Sequence, residues 1–252
     1  MKYSLTENTK EFSGITLFQI KAEKSFGSIS KGDLGGYIEK VENLSQENNA
    51  WVSDNACVSE NACVTDNAYV YGNAHVYGNA CVTDNAYVAG TAHVYGNACV
   101  TDNAYVAGTA HVAGDAHVSG DAWVSENAHV SENARVSGDA HVYGDAHVYG
   151  DARIYNDAHV YGTAHVYGTA RVYVNARVCA KASFTKGFFI GGDDTGKITD
   201  ITTKTGSSYW KNQYVLGEYE ITPIEEEKPT TNLKGKKVSV ELDGVKYEAI
   251  IQ

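Results

Sequence analysis

The stretch HVYGNACVTDNAYVAGTA occupies residues 75–92 and occurs again, unchanged, at residues 93–110. A block of 18 residues copied whole points to a repeating architecture, and the finer period inside it says which one. Ala stands at every sixth position from Ala50 to Ala182, and Val at every sixth from Val52 to Val178, with Ile154 the one exchange. The unit is Ala-x-Val-x-(Gly/Asp/Glu)-(Asn/Asp/Thr). A helix of about 3.6 residues per turn scatters a six-residue repeat around its surface. A strand alternates, so Ala and Val two apart face the same way, inward. The small and polar pair that follows suits a corner, because Gly and Asn tolerate unusual backbone angles.

Strand plus corner, repeated, makes a coil that stacks on itself. The duplicated block sets the coil at three sides of six residues. Residues 51–182 then supply about seven coils, and at about 4.8 Å between stacked strands the rod is about 34 Å long. Because a coil touches mainly its neighbours, one good coil can be duplicated without redesign.

The composition agrees with a strand-rich chain. Hydrophobic residues make up 43% of the 252 residues, Pro occurs twice and Gly 25 times. The net charge of -11 argues against generic nucleic-acid binding and against docking on an anionic membrane. No run of apolar residues is long enough to span a bilayer, and the opening MKYSLTENTKEF lacks the apolar centre of a signal peptide. A cytoplasmic protein is expected, with its five cysteines reduced.

The Ala-x-Val hexad resembles the hexapeptide-repeat, left-handed parallel β-helix superfamily. The resemblance covers about half the chain and implies an all-β, three-sided, left-handed parallel β-helix. The left hand is taken from the family, since parallel crossovers are ordinarily right-handed. GDLGGYIE, then NLSQ, then the abrupt start of NAxVxx units resembles capped β-helix proteins of bacterial and prophage origin, some labelled transferases by analogy of fold. Cap and rod are implied by that likeness; a reaction is not.

Bare rod ends expose unpaired strand edges, so caps are expected. Residues 1–49 read as an N-terminal cap of short strands around a turn at Gly35-Gly36, and residues 50–182 as the rod. Residues 183–224 read as a C-terminal cap with further strands, Phe184, Phe188, Phe189 and Ile190 plugging the barrel. EEEKPTTN (225–232) reads as a polar linker, and residues 233–252 as a β-hairpin turning at Asp243-Gly244.

Positions 18 apart stack, and the outward position before each Val carries the variable information. One column reads Cys57, His75, His93, His111, His129, His147, His165, with Tyr77, Tyr95, Tyr149 and Tyr167 beside it. A second reads Cys63, Cys81, Cys99, His117, Arg135, Arg153, Arg171. The third reads Trp51, Tyr69, Tyr87, Tyr105, Trp123, His141, His159, Arg177. The histidine ladder is a candidate divalent-metal site, like the His sites shared between subunits in the trimeric carbonic anhydrases of the superfamily. A uniform ladder offers no unique place for three converging ligands, so half-buried strand chemistry copied with the coil is the competing reading. The Cys63, Cys81, Cys99 column reads as inert thiols rather than a soft-metal site. Trp51, Tyr69, Tyr87, Tyr105 and Trp123 of the aromatic column, with Tyr77, Tyr95, Tyr149 and Tyr167, read as an interface.

No Lys or Arg lies between Lys40 and Arg135, while Asp54, Glu60, Asp66, Asp84, Asp102, Asp115, Asp121, Glu126 and Glu132 line the intervening coils. Arg135, Arg153, Arg171 and Arg177 make the far end basic. The acidic half reads either as a nucleic-acid mimic or as corner chemistry that also aids solubility.

Acyltransferases of the superfamily resemble one another in a loop that leaves the coils and a catalytic His at a subunit interface. Here the hexad never breaks, and unlike groups are not brought together. The expected function is a non-enzymatic scaffold or protein-interaction module, phage- or prophage-borne, without a cofactor. Its expected partners are itself, as a homo-oligomer with the family's trimeric habit, and another protein, with no direct nucleic-acid or membrane contact. One alternative is an inhibitory decoy whose acidic face mimics nucleic acid before a host nucleic-acid-binding or defence protein. Another is an acyltransferase-like or metal-dependent enzyme, with His75 to His165 as base or ligands.

Overall fold

Every six residues the chain makes a two-residue strand, and every third strand lies on the same wall. A computed structural model describes residues 1–173 and 176–178, together with the strand segments Ser183–Phe184, Phe188–Gly191, Ser208–Tyr209, Gln213–Leu216, Lys237–Leu242 and Val245–Ile250. Parallel pairing joins Tyr87 to Tyr69 and Tyr105 on one wall, and His93 to His75 and His111 on the second. On the third it joins Cys99 to Cys81 and His117. These are the tyrosine, histidine and cysteine–arginine walls of a three-sided parallel β-solenoid.

Backbone geometry explains the repeat length. Each strand N–H donates to a carbonyl on the next coil: Tyr87 to Ala104, His93 to Ala110 and Cys99 to Ala116, all at 2.9 Å. The Val column and the Ala column line the interior and are fully buried from Ala50 to Val178. At most corners the residue two after Val takes a left-handed backbone, filled by Gly or by acids such as Asp54 (φ 55°), Asp84 (φ 59°) and Glu126 (φ 57°).

The all-β, three-sided parallel helix read from the hexad is the fold observed. The turn count is eight rather than about seven, since the tyrosine wall is an eight-stranded sheet. The last turn opens on Arg177–Val178, where the Val column ends, and runs on through Ser183–Phe184 and Phe188–Gly191. Phe184 pairs with Val166 and Phe189 with Val172, so the segment expected to plug the barrel continues its walls in backbone register. Gln213–Leu216 then pairs antiparallel with Phe188–Gly191, and Ser208–Tyr209 with Gln213–Leu216.

The N-terminal cap answers a specific need. Because each coil donates forward, the first coil keeps a set of carbonyls that no earlier coil satisfies. Strand β1 (Tyr3–Phe12) pairs antiparallel with β2 (Ile15–Ala22), β2 with β3 (Leu34–Ile38), and β3 lies parallel to Cys57–Val58. From this cap, Tyr37 and Glu39 N–H donate to the carbonyls of Ala56 (2.8 Å) and Val58 (3.0 Å). The Asn43 amide reaches the carbonyls of Glu60 (3.1 Å) and Ala62 (2.8 Å), and the buried Lys2 ammonium that of Ala50 (2.9 Å). Gly35 and Gly36 correct an expectation: they lie inside β3, not at a turn. A Cβ on Gly35 would meet Val52 O at 2.6 Å and Trp51 Cζ2 at 2.7 Å, so the strand crosses the rod's end too closely for any side chain. The outer edge is β1, where a register shift between Leu5 and Thr9 interrupts the pairing surface.

Two compact units are present, residues 1–222 and 223–252. The second holds Lys237–Leu242 paired antiparallel with Val245–Ile250, Leu242 opposite Val245. The linker 225–232 and the turn Asp243-Gly244 lie outside the described residues. Replacing Asn43 with Ala strands two carbonyls at the rod's end, and a loss of about 2–4 kcal/mol is expected in urea unfolding. Asn97→Ala, on an exposed corner, is expected to cost under about 1 kcal/mol in the same measurement.

Candidate functional site

The corners decide what the charged residues are for. Asp54, Glu60 and Asp102 accept from the backbone N–H of Gly72 (3.0 Å), Gly78 (2.9 Å) and Gly120 (2.9 Å), each one coil onward. Asp66 and Asp84 accept from the hydroxyls of Thr65 and Thr83 at 2.8 Å. Glu126 and Glu132 hold the same left-handed corner position. The neighbouring track is an amide ladder with a direction: Asn67 donates to Asn85 (3.1 Å), Asn85 to Asn103 (3.1 Å) and Asn103 to Asp121 (2.8 Å). A second runs Asn61, Asn79, Asn97 and stops on Asp115. A carboxylate accepts without donating, so it terminates such a chain.

On the histidine wall the imidazoles stack as a column. His93 and His111 lie 4.9 Å apart at 4°, His129 and His147 4.8 Å at 5°, and His147 and His165 4.8 Å at 2°. Tyr77 and Tyr95 stack at 5.0 Å on a parallel track and turn their edges to His93 and His111, as Tyr149 does to His165. Tyr149 and Tyr167 stack at 4.8 Å. Between these tyrosine pairs the track holds Ala113 and Ser131, a notch in the wall. Two nitrogens on one zinc ion lie within about 4.2 Å of each other, given zinc–nitrogen bonds of about 2.1 Å. Parallel rings 4.8–5.0 Å apart hold equivalent nitrogens further apart than that. Among the described residues no three His, Cys, Asp or Glu side chains converge as metal ligands. Within one chain the His75 to His165 ladder is a stacked face whose equivalent nitrogens are too far apart to share one zinc ion.

Two residues outside the repeat complete this wall. Phe12 of β1 stacks on His75 at 4.2 Å, and Lys10 Nζ sits 3.4 Å from Cys57 Sγ. Covered in this way, His75 leaves Nδ1 buried without a hydrogen-bond partner. Burial, then His93, then Lys10 hold its imidazole down to about 4. Burial also lowers His93, and burial with neighbouring imidazoles lowers His111 and His147. No periodicity could have pointed to Phe12, which lies outside the hexad.

The tyrosine wall is divided. Trp51 is 1% exposed, roofed by the edges of Tyr3 (6.4 Å) and Phe26 (5.4 Å), so it belongs to the cap's core and leaves the expected interface. Tyr69 tilts against Tyr71, whose hydroxyl bonds that of Tyr105 at 2.6 Å. Tyr105 stacks on Trp123 at 5.0 Å. Tyr87 and Trp123, 41% and 47% exposed, remain open on the surface.

On the third wall Cys63 and Cys81 bring their sulfurs to 2.7 Å. Burial and the Cys81 thiol push Cys63 up to about 12, and burial raises Cys99, so Cys63 and Cys99 stay protonated at neutral pH. Beyond His117 the column becomes Arg135, Arg153 and Arg171 on consecutive strands. Arg177 stands on the tyrosine wall beside His159.

A family model described as the YdcK β-solenoid repeat matches residues 134–150 and 146–162. The chain is a β-solenoid repeat protein. No curated protein matches it. The matched segment spans Arg135, His141, His147, Arg153 and His159. Among the described residues no helix is long and apolar enough to cross a membrane.

A histidine that folding keeps neutral stabilises the fold above its unfolded value near 6.5, and that contribution is lost as pH falls toward the folded value. For His75 the window is therefore about pH 6.5 down to about 4. Melting temperature is expected to fall across it, and His75→Gln to flatten the profile.

Proposed function

We propose that this chain is a non-enzymatic β-solenoid scaffold that offers flat walls to protein surfaces, a second copy of itself among them. The observation carrying this reading is the unbroken coil register. From Trp51 to Val172 the described strands recur every six residues, and no loop leaves the coils to wall off a cleft. Catalysis needs unlike groups converging in a pocket, whereas these walls repeat like groups in rows.

Two observations favour contact through the tyrosine wall. Tyr87 and Trp123 are large aromatics left open to solvent one strand apart from Tyr105, the composition of an interface core. The hexad shared with hexapeptide left-handed β-helices, commonly trimers, supports self-association through a wall. The same resemblance carries the inference of a phage or prophage setting. Asp54, Glu60 and Asp102, bonded to the next coil's backbone, have a structural use at the corners that needs no nucleic-acid-mimic role.

Native mass spectrometry and light scattering of the full chain test the reading. A multiple of the 27.1 kDa chain mass is expected, with dissociation at least about tenfold easier in the Tyr87→Ser, Trp123→Ser double variant. A monomer at every concentration, or an oligomer indifferent to both substitutions, contradicts it.

A further inference from the structure

Cys63, Cys81 and Cys99 stand in register on three consecutive strands of the cysteine–arginine wall. All three are free thiols, half-buried at the outward position, so solvent reaches them. Their side chains are not equivalent. Cys63 and Cys81 turn toward each other and bring their sulfurs to 2.7 Å. Cys99 turns instead to the carbonyl of Asn97 at 3.8 Å, and the buried Cys57 to that of Asn55 at 3.4 Å. Neighbouring strands lie about 4.8 Å apart, inside the span of about 4.4–6.8 Å that a disulfide bridges between Cα atoms. Register and side-chain direction together therefore single out one pair from the column.

We propose that Cys63 and Cys81 are a reversible disulfide site whose co-reactant is a small disulfide of the glutathione class. One thiol of the pair, once deprotonated, attacks the glutathione disulfide and releases one glutathione thiolate. The second thiol then displaces the other glutathione from the mixed disulfide. The chain loses two electrons and two protons, and the oxidant is reduced to two thiols. A relaxed disulfide holds its Cβ atoms about 3.8 Å apart, nearer than the strand spacing. The bond is therefore strained and open to reduction by the same class of thiol. It closes one whole coil, and that coil is the one on which the cap rests. The Asn43 amide reaches the carbonyl of Ala62 at 2.8 Å, and Leu44 bridges to Val64. Oxidation thus fastens the rod's first turn to its second where an end would otherwise fray. The site is independent of the scaffold reading.

Incubation of the full chain with oxidised glutathione, then alkylation and mass spectrometry, tests the proposal. Burial holds Cys63 and Cys99 protonated at neutral pH, so the exchange is run in mildly alkaline solution. The intact chain is expected to lose two hydrogens and to retain no glutathione. Cleavage at Asp54, Glu60, Asp66, Asp84 and Asp102 separates Cys57, Cys63, Cys81 and Cys99 from one another. The Cys63 fragment is expected linked to the Cys81 fragment. Cys99→Ser is expected to keep that link and Cys81→Ser to lose it, with circular dichroism unchanged in both. Reduced glutathione alone is expected to restore both thiols. Free thiols throughout, a glutathione adduct as the final product, a link between Cys81 and Cys99 in its place, loss of the link in Cys99→Ser, or resistance to reduced glutathione overturns the proposal.

Discussion

One hydrogen bond, repeated, governs this molecule: a strand N–H on one coil meets a carbonyl on the next, as Tyr87 meets Ala104 at 2.9 Å. A coil that closes one residue early or late breaks that contact on all three walls at once. The 18-residue length is therefore fixed by the backbone, and the side chains follow from it. Val fills each side, Ala fits beside each corner, and a left-handed residue turns the corner. The bond also has a direction, which explains why the two ends of the rod differ. Donors face forward, so orphan carbonyls collect at the N-terminus, and Lys2, Tyr37, Glu39 and Asn43 in the cap are donors to them. Unpaired buried carbonyls are costly, so the cap is part of the fold rather than an addition to it.

Stacking in register turns single residue choices into columns, and columns acquire properties that isolated residues lack. Burial, with the imidazoles of His129 and His165 on either side, holds His147 below the usual imidazole range. Amides become a directional ladder that ends on an acid. Guanidiniums become a row of like charge above a cavity. A wall of this kind offers a linear pattern with a fixed spacing, suited to gripping a surface or a chain. On the histidine wall the repeated group is the same on every strand, so within one chain the ladder forms a stacked face in which no three ligands converge among the described residues.

The rod was legible because its period is incompatible with a helix and because Ala and Val never leave their columns. The same legibility gave the contents of each wall residue by residue, down to which histidines and arginines are neighbours. What lay outside the repeat was not legible. Gly35 and Gly36 look like a turn in a linear reading, but they serve a close crossing of strands far apart in sequence. Trp51 shares its column with Tyr87, yet it sits at the rod's end and is roofed by Tyr3 and Phe26. Phe12 meets His75, as Lys10 meets Asn55 and Cys57, where the end of β1 lies against the histidine wall, a contact between distant segments with no local signature. The corner acids were visible as charge, whereas the bonds of Asp54, Glu60 and Asp102 to the next coil's glycines depend on side-chain direction.

The central claim, that coil-to-coil bonding fixes an 18-residue closure, is tested most directly by excision. Deleting residues 93–110 removes one whole copy and rejoins every column. The account predicts the parent's circular dichroism spectrum and a cooperative melt close to the parent's. Deleting residues 93–107 shifts the columns by half a hexad and is predicted to abolish the cooperative melt. If both deletions melt alike, whether both folded or both collapsed, the closure does not govern the fold.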